Sequence, residues 1–232
     1  MATHRTFLIT LLLATLWSLL CSAQVYRADS RSPDNIRGAG GFQPRGGAIG
    51  AVPADISLWN HVNGAANGFS RMDDGYVSTT TDRNLADSWV RNNFGGNGWI
   101  YRIALAPNMI DCQATLGTFN PFPNEREMAA IGGIRYEQII GWSQMVGGTR
   151  QAEVANPGYN GARYNGLRGA GAQPSLAAFP ANHRAWSQAP WNAFSTCTNP
   201  RRAARDFEKR QSCGPRQSNV QFANEYMARN NL

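Results

Sequence analysis

Apolar and polar positions divide the chain into short elements punctuated by glycine and proline. Thr6 to Leu20 is a continuous apolar run behind a short basic start, and it ends at the small residues Cys21-Ser-Ala23. This order predicts a secretory signal peptide over residues 1–23. No second apolar stretch of about 18 residues follows, so no membrane anchor is expected. Val25 to Arg31 alternates as a strand, with Tyr26, Ala28 and Ser30 on one face and Arg27, Asp29 and Arg31 on the other. Pro53 to Gly64 reads as a short helix started by proline, with Ile56, Leu58, Trp59 and Val62 on its apolar side. Asp73-Asp-Gly is a turn into the β-prone run Tyr76 to Thr81, which on its own could be an edge strand. Thr81 to Arg91 reads as a helix capped by Thr81 or Asp82, with Leu85, Ala86, Trp89 and Val90 facing in. Trp99 to Ala106 reads as a buried strand ended by Pro107. Met128 to Ile131 packs inward, Gly132-Gly133 turns the chain, and Ile134 to Ile140 is again β-rich. From Trp142 to about Gln173 the chain is polar and Gly-rich, with no chemistry evident. The aromatic run Ala178 to Trp191 packs back onto the domain, with His183 in a structural role.

Composition narrows the class. Removing the leader leaves about 209 residues, enough for one well-packed domain. The 24 glycines and 12 prolines favour many turns over long helices. The formal charge is +7 but scattered, densest at Arg201-Arg-Ala-Ala-Arg205 and without basic–aromatic interleaving, so no nucleic-acid partner is expected. Cys112, Cys197 and Cys213 remain after the leader. Secretion favours a disulfide, and Cys197–Cys213 is the natural pair, leaving Cys112 as a buried thiol. The cysteines and histidines offer no metal-ligand spacing. Pro33 to Ala51 is Gly-rich but lacks the strand–turn–helix context of a dinucleotide fold.

The chemistry concentrates in Asn124-Glu-Arg-Glu-Met-Ala-Ala-Ile-Gly-Gly. In an extended backbone Glu125 and Glu127 would share a face, roughly 6.5–7 Å apart along the strand. Two carboxylates that close cannot ionise independently. Such a pair suits chemistry that stabilises a cation while taking up a proton. A guanidinium at Arg27 offers a planar fork of donors to a phosphate or carboxylate. Lys209-Arg210, in the polar stretch between Cys197 and Cys213, is a dibasic site open to proteolysis.

The segment Glu125-Arg-Glu-Met-Ala-Ala-Ile-Gly-Gly-Ile-Arg-Tyr-Glu-Gln-Ile-Ile-Gly-Trp142 resembles the catalytic segment of the cholera toxin and heat-labile enterotoxin A chains, mono-ADP-ribosyltransferases of the Arg-Ser-Glu class. Tyr26-Arg-Ala-Asp-Ser-Arg31, Gly40-Gly-Phe-Gln-Pro-Arg-Gly46, Asp73-Asp-Gly-Tyr-Val-Ser-Thr79 and Ile103-Ala-Leu-Ala-Pro-Asn-Met109 resemble the same family. The resemblance runs from Tyr26 to about Tyr226. It implies an α+β fold, with two small antiparallel β-sheets forming an NAD cleft and short helices around them. It implies catalytic Glu127, Glu125 and Ser78, with Ser78 orienting Glu127, and an NAD-binding set of Arg27, Asp29, His61 and Arg45. Thr80 stands where the family has a serine, and its hydroxyl is retained. The loop from Asn63 to Arg71 would cover the cleft in the resting enzyme.

The implied domain order is a catalytic domain over 24–196 and a disulfide-linked tail over 197–232, nicked at Lys209-Arg210. The implied reaction moves ADP-ribose from NAD, used as substrate, to an arginine of a host protein, releasing nicotinamide. Glu125, rather than glutamine, points to arginine as acceptor. NAD glycohydrolysis and a secreted binding protein that has lost catalysis are the alternatives. Only 19 residues follow Cys213, without an endoplasmic-reticulum retention end, so a pentameric B partner is not expected. The protein is expected to be secreted, with entry into a target cell left open.

Overall fold

The computed structural model describes residues 24–47, 54–64, 70–196 and 213–232. The expected leader, residues 65–69 of the loop expected to cover the cleft, Cys197 and Lys209-Arg210 lie outside these residues. The architecture is α+β, with antiparallel sheets and short peripheral helices. The two sheets are unequal. One has seven strands in the order β5-β6-β3-β1-β4-β8-β9, and the other pairs only β2 with β7. The strands are β1 (Gln24–Asp29), β2 (Gly41–Phe42), β3 (Tyr76–Thr80), β4 (Gly98–Ala104), β5 (Met109–Asp111), β6 (Glu127–Ile131), β7 (Ile134–Arg135), β8 (Ile139–Val146) and β9 (Thr149–Ala155).

The large sheet is itself nearly divided. β1 pairs with β4 through six registered residues, but with β3 only at Tyr26↔Thr80. Beyond that bridge β1 and β3 splay apart, leaving backbone groups that other donors must satisfy. The β5-β6-β3 and β1-β4-β8-β9 blocks thus face one another across an opening, and the site lies in it. β3 is an internal strand rather than an edge: Tyr76 packs into one core cluster and Val77 into another. The first cluster joins Ile110, Leu116, Phe179, Trp186 and Trp191 to Phe222 and Tyr226 of helix α6 (Asn219–Arg229). The second gathers Val25, Phe42, Tyr101, Met109 and Trp142.

Several local expectations change. The helix expected from Pro53 begins later, as α2 (Leu58–Asn63), because the Ser57 side chain accepts the Asn60 N–H and caps it; Ile56 lies before it, still buried. Helix α3 (Arg83–Asn93) is capped by Asp82, not Thr81. Of its expected inward face, Ala86 and Val90 are buried, but Leu85 and Trp89 line the opening, Trp89 being 39% exposed. The β-rich run after Gly133 breaks into β7, a single 3-10 turn and β8. The polar stretch after Trp142 contains a hairpin that the sequence pattern does not reveal: β8 turns at Gly147-Gly148, both at positive φ, into the exposed edge strand β9. His183 is structural, stacked on Phe179 with centroids 4.6 Å apart and accepting the Ala185 N–H.

Candidate functional site

A cleft of about 740 Å³ opens between β1, β3, α3 and the segment leading into β6, a size typical of small-molecule and cofactor sites. All of Arg27, Asp29, Arg45, His61, Ser78, Glu125 and Glu127 line it. Residues distant in sequence therefore converge on one cavity, delivered by several different elements.

β1 supplies the cationic wall. The Arg27 guanidinium donates through Nη1 to the Ser78 carbonyl at 2.8 Å, bridging the gap where β1 and β3 part. Its Nη2 lies 3.4 Å from Asp29, and it stands over the Phe42 ring at 5.1 Å. Its Nε–H is buried and has no partner among the described residues, an unfilled donor in the cleft wall. Burial opposes the charge of Arg27, and Asp29 supports it. Asp29 is also held by a bidentate pair from Arg31, with both N–O distances 2.8 Å. Asp29 therefore organises two arginines. Arg45 sits further out, donating to the Ser70 carbonyl at 3.3 Å.

The opposite wall is anionic and tightly ordered. Glu127 is the first residue of β6, a strand buried along its whole length. His61, at the end of α2, reaches Glu127 Oε1 through Nε2 at 2.9 Å and Asp74 Oδ2 through Nδ1 at 2.7 Å. Both side chains of the His61–Asp74 pair are only 2% exposed. Burial alone would push the His61 pKa down; Glu127 and Asp74 together raise it to about 10. Glu127 is held below the usual carboxylate range because the field and hydrogen bond of His61 outweigh its burial, aided by Ser78 and Cys112. The Ser78 hydroxyl also lies 3.3 Å from His61 Nε2. Ser78 thus acts on both members of the pair, and its carbonyl anchors Arg27.

The two glutamates are not displayed on one extended strand. Glu125 ends a 3-10 turn begun by Pro123, and Arg126 takes a left-handed conformation at φ 47° before β6 starts. That twist separates the environments of the pair: Glu127 is buried against His61, while Glu125 is only half-buried at the mouth. Burial first, then the charge of Glu127, moves the Glu125 pKa up. Thr80 holds the turn, its hydroxyl donating to the Glu125 carbonyl at 2.7 Å.

Two participants escape the sequence pattern. Asp74 reads there only as half of a turn, yet it is buried and bonded to His61. Cys112 is a free, buried thiol, as expected, but it also helps to lower the Glu127 pKa. Neither carries a local signal, because each is brought to the site by tertiary contact alone, Asp74 beside His61 and Cys112 beside Glu127. Among the described residues no group of three or more His, Cys, Asp or Glu side chains could hold a metal ion, and no helix is long and apolar enough to cross a membrane.

Comparison with known proteins gives this geometry a family. Residues 4–229 match the family described as heat-labile enterotoxin alpha chain. The chain is 38% identical over 219 residues to the A chain of the cholera enterotoxin of Vibrio cholerae, covering 89% of this chain and 83% of that one. It is 40% identical over 178 residues to the A chain of heat-labile enterotoxin IIA of Escherichia coli, covering 73% and 69%. A third relative, NAD(+)–arginine ADP-ribosyltransferase Chelt of Vibrio cholerae, is 41% identical over 178 residues; the match covers 73% of this chain and 30% of that longer protein. Among solved structures, a heat-labile enterotoxin double mutant superposes with a TM-score of 0.69 at 32% identity, covering 88% of this chain and 89% of that one. An E. coli heat-labile enterotoxin with a buried valine replaced by lysine gives 0.66 at 37% identity, covering 73% and 96%. With sequence, fold and cleft in agreement, the chain belongs to the heat-labile enterotoxin alpha chain family.

Proposed function

We propose that the protein is an NAD-dependent mono-ADP-ribosyltransferase that transfers ADP-ribose to an arginine side chain of a host protein and releases nicotinamide. The observation that carries this reading is the pairing of a buried, His61-bound Glu127 with a half-buried Glu125 in one cleft. NAD is the substrate, and the residues fit it: the unfilled Arg27 Nε–H offers a donor for a phosphate oxygen. Asp29 holds that arginine in place, and Arg45 supplies positive charge at the mouth.

As the bond from ribose C1′ to the nicotinamide nitrogen lengthens, positive charge builds on the ribose. Glu127, kept anionic by His61, stabilises that oxocarbenium-like state electrostatically. Nicotinamide leaves with the bonding electron pair. An arginine guanidinium then attacks C1′, and Glu125 takes the proton it sheds. A carboxylate whose pKa is moved up is better matched to removing a proton near neutral pH than an ordinary one. Ser78 orients Glu127, and its carbonyl fixes Arg27, coupling the two walls.

The same proposal includes secretion behind the leader at residues 1–23, a catalytic domain over 24–196 and a tail over 197–232 tied by Cys197–Cys213 and nicked at Lys209-Arg210. Supporting the pairing, Cys112 is a free buried thiol, apart from the proposed Cys197–Cys213 pair. Supporting the tail's attachment, α6 buries Phe222, Ala223 and Tyr226 against the core, so a nicked tail would stay docked. The direct test is incubation of the protein with NAD, nicotinamide release being the readout. Release is expected; none, even after cleavage and reduction, would leave a binding protein as the better reading.

A further inference from the structure

We infer that Asp74 is a positioning residue: it holds His61 as a doubly protonated imidazolium, and His61 in turn fixes Glu127 as an anion. The kinetic consequences rest on the transferase reading above; the protonation itself does not.

His61 offers Nδ1 to Asp74 at 2.7 Å and Nε2 to Glu127 at 2.9 Å. An ionised carboxylate can only accept hydrogen bonds, and a neutral imidazole donates from one nitrogen. A neutral ring between two carboxylates would therefore set a lone pair against a lone pair. The remaining contacts favour ionised acids over a protonated one. Asp74 Oδ1 already accepts the Tyr76 N–H at 3.0 Å, and the surroundings of Glu127 hold its pKa below the ordinary value. The proton shared by the array thus belongs on the ring.

Asp74 is itself fixed by backbone. Its carbonyl accepts the Gly46 N–H at 2.8 Å, and it bridges to Asp55 in parallel register. Gly75 beside it has no room for a side chain: an added Cβ would lie 2.9 Å from Ile56 and 3.0 Å from the Asp55 carbonyl.

The second carboxylate changes the charge that the substrate meets. His61 with Glu127 alone is neutral; with Asp74 the array carries one net negative charge. Glu127 thereby keeps an uncancelled field for the developing cation. The other titratable or charged groups facing the array are Glu125 before β6, Arg27 on β1, Cys112 at the start of α4 (Cys112–Leu116), Tyr76 on β3 with its ring 5.1 Å from His61, Asp55 before α2, and Arg71, which pairs with Asp55 and Asp73 and lies in the field of Asp74. Glu125 adds to the field that keeps the ring protonated, Asp55 is largely offset by its partner Arg71, and Arg27 opposes it.

The test uses the full chain, wild type and Asp74→Asn, with ¹⁵N resonances of the imidazole rings followed against pH. The chain has three histidines, so His61 can be assigned by a His61→Gln control. In the wild type both His61 nitrogens should stay protonated past about pH 9. In Asp74→Asn the titration should fall by at least about one pH unit. The basic limb of kcat for nicotinamide release should move down with it, kcat near neutral pH dropping about tenfold while KM for NAD stays within about twofold. A merely structural role would not move the limb and the ring titration together. A wild-type His61 that titrates in the ordinary histidine range overturns the inference, whatever the activity; so does a folded variant that leaves both titration and limb unchanged. If Asp74→Asn does not fold, the wild-type titration decides alone. A wild type that keeps the imidazolium but never releases nicotinamide upholds the protonation and removes the transferase reading instead.

Discussion

Two carboxylates one residue apart end up in unlike surroundings. Glu127 opens a fully buried strand and is gripped by His61, so its charge is fixed and its pKa lowered. Glu125 closes a 3-10 turn at the mouth, half-buried and without such a partner, and its pKa is raised. One left-handed residue, Arg126, makes the difference by turning the chain between them. Environment, not residue type, assigns the roles: the fixed anion suits stabilisation of a cation, and the carboxylate with raised affinity for a proton suits general base work.

The contrast can be broken at either end. The largest loss should come from Glu127→Gln, which keeps the shape and removes the charge. Nicotinamide release and transfer should both fall by about 10³-fold or more, measured as initial rates at saturating NAD. Arg27→Lys should come next. A lysine cannot both donate to the Ser78 carbonyl and present a second donor in the plane of a guanidinium. The loss of one charge-assisted hydrogen bond should lower kcat/KM for NAD about 10- to 100-fold.

The smallest effect sharpens the comparison through stability. The folded His61 pKa of about 10 lies above its ordinary value of 6.5, so its contribution is full below about 6.5 and is lost as pH rises through about 10. Glu127 has the opposite sign: its folded pKa is lowered, so its share is present above its ordinary value of 4.5 and lost as pH falls through the folded one. The Tm penalty of His61→Gln should therefore peak near neutral pH and shrink toward pH 10 and toward acid. A penalty that is flat with pH would mean that the pair contributes packing alone.

The contrast between the glutamates was only half legible in the sequence. The spacing marks both residues, and the apolar run after them marks β6. The twist at Arg126 is not marked, because a left-handed arginine is held by tertiary contacts such as the Thr80 hydroxyl on the Glu125 carbonyl. β1 and β3 were legible from alternation and a turn. β9 was not, since an exposed edge strand needs no apolar face. Leu85 and Trp89 extended the apolar stripe of α3 and so read as core, yet that edge of the helix borders an open cleft. Asp74 was invisible for the converse reason: a turn aspartate is ordinarily exposed, and only the fold buries this one against His61.

The division of labour between Glu125 and Glu127 is tested most directly by one experiment. Wild type and Glu125→Gln are incubated with NAD and a small guanidinium acceptor, with free nicotinamide and ADP-ribosylated acceptor both quantified by mass. The account predicts that wild type makes both products, while Glu125→Gln still releases nicotinamide but transfers about 10²-fold less to the acceptor. A Glu125→Gln variant that transfers as well as wild type would contradict it, and so would one that loses nicotinamide release as completely as Glu127→Gln.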